Sequence, residues 1–212
     1  MEEKELSLTK RKHIDILKAA VELFQQHGFD NTNMDAIALR AKVSKRTIYK
    51  HFSDKNALFQ AITQELFSRV MTVADYPYQS KVPLEIQLTE IANSYVEFFT
   101  SDCVVKITRV VLVELIRAPK KTTEKFVEFN GRDLAVTKWI AATQKDKRLI
   151  KADKDIASKQ FIALLKAFAF WPHIIEGKPI PSPREKKRVI KNTVQFFLNT
   201  YKNSKYLSIT KS

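Results

Sequence analysis

The chain is poor in residues that cross-link or sharply turn a polypeptide: its 212 residues include one cysteine and three glycines. A lone Cys103 cannot form an intrachain disulfide, which is typical of a reducing compartment, so we expect a cytoplasmic protein. Strand-rich folds need frequent tight turns, which glycine adopts most easily. The scarcity of glycine therefore favours an all-α fold.

Long apolar runs are also missing. A membrane-spanning helix needs roughly 20 consecutive apolar residues, and the longest candidate, 161–175, is interrupted by Lys166, Pro172 and His173. The chain opens with the acidic Met1-Glu2-Glu3 and no apolar segment follows, so no secretory leader is predicted. We therefore expect no membrane as a partner.

The patterns of metal and catalytic sites are absent from the sequence as well. The four histidines lie far apart, and one cysteine allows none of the common zinc spacings. There is no glycine-rich phosphate loop and no Gly-x-Ser-x-Gly turn. We predict no metal, no cofactor and no enzymatic activity, and we expect Cys103 to be a small buried apolar residue.

Positive charge is in clear excess. The chain has 37 Lys and Arg against 23 Asp and Glu, a formal net charge of +14. Such an excess attracts nucleic acid or an anionic membrane surface, although a lysine-rich background explains it equally well. Since the excess extends over the whole chain, only local pattern can locate a binding site.

Apolar residues recur at helical spacing in segments separated by capping residues and prolines. Gly28 is expected to end the first helix in the left-handed conformation, and Ser53 to cap the fourth. Ser182-Pro183-Arg184-Glu185 combines a capping box with proline at the first helical position. About nine helices are predicted, at 10–27, 34–41, 45–52, 54–73, 83–100, 101–117, 123–145, 155–175 and 183–202.

Two short predicted helices, 34–41 and 45–52, are separated by Lys42-Val43-Ser44, which is the spacing of a helix-turn-helix. Ile48 and Phe52, four residues apart, would anchor the second of these helices in a core. Residues 36–55 hold six Lys or Arg and one acid, a net charge of +5. This pattern predicts a DNA-binding element; a solvated basic face on a small helix is the alternative.

The helix at 45–52 would present a polar face to a partner. At about 100° per residue, Ile48 and Phe52 fall on one side of the helix. The other side and its flank carry cations and hydroxyl groups: Lys45, Arg46, Thr47, Tyr49 and Lys50. Groups of this kind donate to phosphates and to base edges in a major groove.

Three stretches form a specific pattern: Phe24-Gln25-Gln26-His27-Gly28-Phe29, Asp35-Ala36-Ile37-Ala38 and Ala41-Lys42-Val43-Ser44-Lys45-Arg46-Thr47-Ile48-Tyr49-Lys50-His51-Phe52-Ser53-Asp54-Lys55. Residues 10–60, about a quarter of the chain, resemble the DNA-binding domain of the TetR family. The resemblance implies DNA contacts by Lys45 and Arg46 to base edges, by Thr47, Tyr49 and Lys50 to bases or backbone, and by His51 and Lys55 to phosphates.

Two positions depart from the family pattern. The family usually has glycine where Lys42 lies in the turn; if that position needs a positive φ, lysine costs roughly 1 kcal/mol there. The family often has glycine where Arg46 lies. Arginine can donate two hydrogen bonds to guanine, so we expect Arg46 to contribute to base specificity.

The C-terminal part resembles the AefR-like subgroup of the family, in 109–114 followed by Pro119, and in 155–157 followed by 161–165. The resemblance implies a regulator of efflux or lipid-related genes. A mostly apolar effector pocket is expected among the fifth to eighth helices, although core packing alone would explain most of its large apolar residues. The candidates are Phe99, Arg109, Leu112, Phe129, Trp139, Phe168 and His173.

The eighth predicted helix has apolar residues on two faces, because Phe168, Phe170 and Trp171 cannot all point the same way. One face would pack on the core and the other on a second subunit. We therefore predict that the eighth and ninth helices of two subunits form a four-helix dimer interface. The candidates are Phe161, Leu165, Trp171, Phe196, Phe197 and Tyr201.

The sequence thus predicts a homodimeric, sequence-specific transcriptional regulator, with a three-helix DNA-binding domain at 1–55, a linking helix at 54–73 and an effector-binding and dimerisation domain at 74–212. It would repress by binding operator DNA and be released by a small apolar or amphipathic effector. The alternatives are a non-specific architectural DNA-binding protein and an enzyme on a helical scaffold. The mixed face of Arg46, Thr47 and Tyr49 favours the regulator, because a phosphate binder needs only cations.

Overall fold

The computed structural model describes residues 7–72, 76–117 and 135–203, and every regular element in these ranges is a helix. The all-α prediction is confirmed. The one isolated bridge in these ranges joins Leu149 and Lys202. The ten described helices are α1 (Leu8–His27), α2 (Met34–Arg40), α3 (Lys45–His51), α4 (Lys55–Thr72), α5 (Leu84–Phe99), α6 (Asp102–Arg117), α7 (Ala135–Lys145), α8 (Lys154–Ala169), α9 (Trp171–Ile174) and α10 (Pro183–Tyr201).

Packing divides the chain into two compact units. Among the described residues, the first comprises 7–68 and 106–117, and the second comprises 69–72, 76–105 and 135–203. Helices α4 and α6 therefore each contribute residues to both units. No helix of the described residues is both long enough and apolar enough to span a bilayer.

The first unit has a small core in which α1 packs on α2 and α2 packs on α3. Ile16, Ile37, Ile48 and Leu58, one from each of the first four helices, have no exposed surface. Complete burial of such a side chain contributes about 1.5–3 kcal/mol. The predicted anchoring of α3 is confirmed, since Phe52 is also buried.

Side-chain caps set the ends of the short helices. The Asn33 side chain accepts a hydrogen bond from the Ala36 amide at 2.8 Å, and Ser44 Oγ accepts one from the Thr47 amide at 3.1 Å. The predicted cap of α4 is wrong by one residue: Asp54 Oδ1, not the Ser53 hydroxyl, accepts from the Ala57 amide at 2.8 Å. The carboxylate is favoured there because its charge also interacts with the positive end of the helix.

Gly28 ends α1 as predicted, but in a different conformation. Its φ of 79° is combined with a ψ of 165°, which lies outside the left-handed helical region. That combination is essentially restricted to glycine. The Gly28 amide still closes the helix by donating to the Phe24 carbonyl at 2.9 Å.

In the second unit, α10 packs on α5 and α8, and α8 also contacts α5, α7 and α9. The single helix predicted at 155–175 is instead two, α8 and α9, with Phe170 between them in a non-helical conformation. Pro172 has no amide hydrogen and its ring would clash with the carbonyl four residues earlier, so α8 ends before it, whereas the first turn of α9 tolerates it. Of the helix predicted at 123–145, residues 123–134 lie outside the described ranges.

The buried amide of Gln87 holds the loop that precedes α5. Its Nε2 donates to the carbonyls of Gln79 and Val82, both at 2.8 Å. Its Oε1 accepts from the Gln79 amide at 2.9 Å and from Trp139 Nε1 at 3.0 Å. All four hydrogen bonds that an amide side chain can make are therefore satisfied, with no surface exposed.

Arg148 fixes the same loop from the other side. Its guanidinium donates to the carbonyls of Ser80 and Val82 at 2.7 and 3.0 Å and lies over the ring of Tyr78. The Tyr78 hydroxyl donates to the carboxylate of Asp146, and burial raises the pKa of Tyr78. Hydrogen bonds from side chains distant in sequence thus hold this loop, which has no regular secondary structure of its own.

Cys103, predicted to be buried, is partly exposed.

Candidate nucleic-acid interface

Helix α3 presents an exposed polar face. Lys45, Arg46, Tyr49 and Lys50 are exposed, and Tyr49 has half of its surface free. These are four of the five residues that the helical wheel placed on this side. The fifth, Thr47, is partly buried because its hydroxyl lies 2.8 Å from the Ser44 hydroxyl that caps the helix.

One carboxylate lies beside this face. Asp35, in the first turn of α2, forms an ion pair with Lys45 at 2.6 Å, and both side chains are largely exposed. The hydrogen bond from the Lys45 ammonium to Asp35 raises the pKa of Lys45. Lys45 must exchange this partner for a base or a phosphate if it contacts DNA.

The turn before α3 contains a lysine in the left-handed region. Lys42 has a φ of 55°, so the positive φ considered from the sequence is present. A side chain at such a position costs about 1–2 kcal/mol. The turn keeps its shape through the Val43 amide, which donates to the Ala38 carbonyl at 2.9 Å.

Replacing Lys42 with glycine is expected to raise the free energy of unfolding by about 0.5–1 kcal/mol. The left-handed cost disappears, and the greater freedom of glycine in the unfolded chain offsets part of the gain. Urea denaturation of Lys42→Gly and Lys42→Ala measures this, because alanine removes the charge but keeps the strained Cβ. Equal midpoints for the two variants would contradict the strain.

Lys55 fastens the loop between α1 and α2. Its ammonium donates to the carbonyls of Phe29, Asp30 and Thr32 at 2.6, 3.1 and 2.8 Å. The same group lies 4.6 Å from the centre of the Phe29 ring. All three donors of the ammonium are therefore engaged within the chain, and contact with a DNA phosphate would require at least one of them to be released.

Lys55→Met is expected to lower the unfolding free energy of the first unit by about 1.5 kcal/mol, because methionine keeps the apolar stem but removes charge-assisted hydrogen bonds. Lys50→Met, at an exposed position of α3, is the control for loss of the charge itself. Thermal unfolding of the two variants measures the stability that each substitution removes. Unchanged stability of Lys55→Met together with weakened DNA binding would instead support the phosphate contact.

His51, at the end of α3, is partly buried. Its ring centre lies 5.7 Å from that of His13 in α1, and the His13 ring lies 5.0 Å from Phe52. No local pattern connects His13 with α3, because 38 positions separate the two histidines along the chain. Only the packing of α1 across the end of α3 brings them together.

The residues predicted for the effector pocket fall into different environments. Phe99, Trp139 and His173 are buried in the second unit, whereas Phe168 is 60% exposed there. Arg109 and Leu112 belong to the first unit, and Phe129 lies outside the described residues. Trp139 and His173 also have structural partners, Gln87 and the Lys178 carbonyl.

Arg109 lines a cleft of about 420 Å³ within the first unit, between the end of α1 and α6. Gln25 Nε2 donates to the Lys106 carbonyl at 3.2 Å, and Arg117 pairs with Asp30 at 2.5 Å. These contacts hold α6 against the end of α1 and the loop that follows it. The cleft lining is Phe24, Gln25, Gly28, Phe29, Arg109, Val110, Val113 and Glu114.

The residues predicted for the dimer interface are also divided. Phe161, Leu165 and Phe197 are in the core of the second unit, where the rings of Phe161 and Phe197 are 5.3 Å apart. They are covered within the chain and cannot form a surface. Trp171 and Phe196 are 43% and 60% exposed, and Tyr201 is partly exposed.

Across the described ranges, no group of three or more His, Cys, Asp or Glu side chains is placed to hold a metal ion.

Comparisons with known proteins match both parts of the chain. Residues 16–62 match the family described as bacterial regulatory proteins, tetR family, and residues 86–203 match the AefR-like transcriptional repressor C-terminal domain. UidR of Escherichia coli K12, an HTH-type transcriptional regulator, is 25% identical over 131 residues, which cover 62% of this chain and 63% of UidR. The match therefore spans less than two thirds of that relative.

Two solved structures resemble nearly the whole chain. A TetR family transcriptional regulator from Pseudomonas syringae pv. tomato DC3000 is 34% identical with a TM-score of 0.77, covering 93% of this chain and 99% of that one. The flavonoid-responsive regulator FrrA is 26% identical with a TM-score of 0.67, covering 92% and 99%. These matches, together with the exposed face of a capped helix-turn-helix, show that the chain belongs to the TetR family of transcriptional regulators.

Proposed function

We propose that this protein binds one operator sequence, represses the adjacent genes, and is released from DNA by an amphipathic small molecule. The exposed face of α3 is the observation that carries the proposal. It combines Arg46, Tyr49 and Lys50 on a helix whose start is fixed by Ser44 and whose inner side is anchored by Ile48. A rigid helix of this kind can be placed in a major groove.

Sequence-specific binding is favoured over architectural binding by the chemistry of this face. Arginine can donate two hydrogen bonds to guanine, and a tyrosine ring can contact a thymine methyl group. Neither group is needed by a protein that only neutralises phosphates. The AefR-like repressor match supports repression as the direction of control.

Selection from a random duplex library at physiological salt tests the proposal. A dimer with two copies of α3 predicts one inverted-repeat sequence, with half-sites about one helical turn apart or a multiple of it. Recovery of no motif, with binding that collapses as salt rises, would indicate architectural binding instead.

An aromatic, amphipathic effector is supported by the relative FrrA, which is described as flavonoid-responsive. The second unit offers matching chemistry, since Phe99, Trp139 and His173 are buried among apolar residues there. Binding of such a ligand to one conformation of the dimer would lower DNA affinity if that conformation fits the operator less well.

Dimerisation through α8, α9 and α10 is supported by exposed aromatic residues. Within the described part of the second unit, Phe168, Trp171 and Phe196 are the aromatic side chains most open to solvent. Large aromatic side chains are the residues that most often dominate interface energies. The proposed interface therefore rests on these three residues rather than on the buried Phe161, Leu165 and Phe197.

The double substitution Trp171→Ala and Phe196→Ala is expected to weaken dimerisation at least about 30-fold, because each removes a large apolar contact. Ile86→Ala in α5, also an exposed apolar position of this unit, is the control. Sedimentation over a range of protein concentrations measures the dissociation constant. A dimer unaffected by the double substitution would place the interface elsewhere.

A further inference from the structure

The N-terminal half of α1 lies against the end of the recognition helix α3. The rings of His13 and His51 are 5.7 Å apart, with Phe52 beside both of them. Two groups that can each carry a positive charge are therefore held together at the point where α3 ends. Histidine changes its charge within the physiological pH range, so this pair is a potential proton-dependent site.

The charged groups that act on His51 all have the same sign. Burial lowers the pKa of His51, and His13, Lys50 and Lys12 lower it further by repulsion. Lys50 belongs to α3 itself, whereas Lys12 and His13 come from α1. Because only positive charges act on His51, its protonated form is disfavoured, and a bound anion would favour that form.

Further cations of α1 extend this surface toward the turn before α3. A groove of about 570 Å³ has Lys12 on one wall and Lys42, from the turn, on the other. Arg40 in the same groove is neutralised by Glu22 at 2.6 Å. The first half of α1 therefore lies near both ends of α3: Lys12 is opposite the turn that precedes it, and His13 is beside its last residue, His51. Arg11 and Lys18 also line this groove, together with the carboxylate of Asp15.

We propose that Lys12, His13, Lys50 and His51 form a binding site for a backbone phosphate of duplex DNA, and that the site takes up protons when the phosphate binds. Lys12 and His13 are the new members, contributed by α1 rather than by the helix-turn-helix. The proposal rests on the proposed function, because it requires α3 to lie against DNA. It predicts DNA affinity that rises as the pH falls.

His51 couples pH to stability and to binding with opposite signs. In the free protein, His51 binds fewer protons than in the unfolded chain at any pH between its lowered pKa and the ordinary value of about 6.5. Its contribution to folding stability therefore declines as the pH falls through that window. A bound phosphate favours the charged imidazole instead, so the DNA complex gains affinity over the same range.

The experiment measures binding to a duplex of about 20 base pairs with arbitrary mixed sequence, at constant ionic strength, from about pH 8 to pH 5.5. Phosphate contacts do not depend on sequence, so no operator is needed. The wild-type protein is expected to bind about five- to tenfold more tightly at the acid end, which corresponds to a rise of up to about one pKa unit on binding. His27→Gln, at the exposed far end of α1, should keep this dependence.

The double variant His13→Gln and His51→Gln should bind with the same affinity, within about twofold, over the whole pH range. Thermal melting of the variant at about pH 8, compared with the wild type at the same pH, checks that it folds. Full pH dependence in a folded double variant, or none in the wild type, would overturn the proposal. Lys12→Ala should also reduce the salt dependence of binding by about one phosphate contact, whereas the exposed Lys187→Ala should not.

These outcomes are distinguishable from failure of sequence-specific repression. If random-library selection yields no motif but binding to the mixed duplex still depends on His13 and His51, the phosphate site stands and the operator proposal fails. If a motif is recovered but the pH dependence is missing, the reverse holds.

Discussion

Replacing Gln87 with alanine is expected to lower the free energy of unfolding of the second unit by about 3–4 kcal/mol. The side chain is fully buried and makes four hydrogen bonds, two to carbonyls of the loop at 79–82, one to the Gln79 amide and one to Trp139 Nε1. Alanine leaves a cavity and deprives the buried indole N–H of its acceptor. An unsatisfied buried donor alone costs about 1–3 kcal/mol.

Urea denaturation of Gln87→Ala measures the loss, with Gln195→Ala on the exposed side of α10 as the control. A second comparison separates the indole from the loop. In Gln87→Met with Trp139→Phe, the orphaned donor is removed along with its acceptor, so part of the stability should return. A change below about 1 kcal/mol in Gln87→Ala would show that water or a rearranged loop replaces the amide at little cost.

Replacing Arg46 with alanine is expected to weaken binding to the selected operator about 10- to 100-fold, equivalent to roughly 1–3 kcal/mol, and to relax base preference at one position of each half-site. Arg46 is exposed on α3 next to the N-terminal turn that enters the groove in helix-turn-helix proteins. Its planar guanidinium can bond to two acceptors of guanine at once, which a point charge cannot do.

Arg46→Lys separates the charge from the geometry. If Arg46 reads a base, lysine should restore affinity for arbitrary DNA but not the preference at that position. Arg184→Ala, exposed at the start of α10, should change neither quantity. Equal loss of affinity on every sequence in Arg46→Ala would show that Arg46 contacts phosphate only.

Features determined by short stretches of sequence were predictable. The capping box formed by Ser182 and Glu185 is present, with Pro183 as the first residue of α10, as the sequence predicts. The glycine that the family has at the position of Lys42 raised a positive φ as one possibility, and the turn has it. Such features need only neighbouring residues, so the chain reveals them before any packing is known.

Contacts between distant residues were not predictable in the same way. Lys55 was assigned to phosphate by resemblance, yet its ammonium lies on three carbonyls of the loop at 29–32. Gln87 carried no signal at all, because its role depends on the loop and on Trp139, which lies 52 positions away. His13 likewise gained its neighbour only from the crossing of α1 and α3.

The periodic apolar pattern also could not separate core from surface in the last helices. Phe161 and Phe197 face each other inside the second unit, while Phe168 and Phe196 face outward. Phe161 and Phe168 lie seven residues apart on nearly the same side of α8, yet Phe161 is buried and Phe168 is exposed. Which face is covered is decided by the packing of α5, α8 and α10, and the sequence does not contain that information locally.

Sequence-specific recognition by α3 is tested by the ratio of two dissociation constants at physiological salt, one for the selected operator and one for a shuffled duplex of the same composition. Sequence-specific regulation predicts a ratio of at least about a thousandfold, reduced by Arg46→Ala. A ratio near one, with both affinities falling steeply as salt is added, would contradict specific recognition and leave a DNA-binding protein that reads only phosphates.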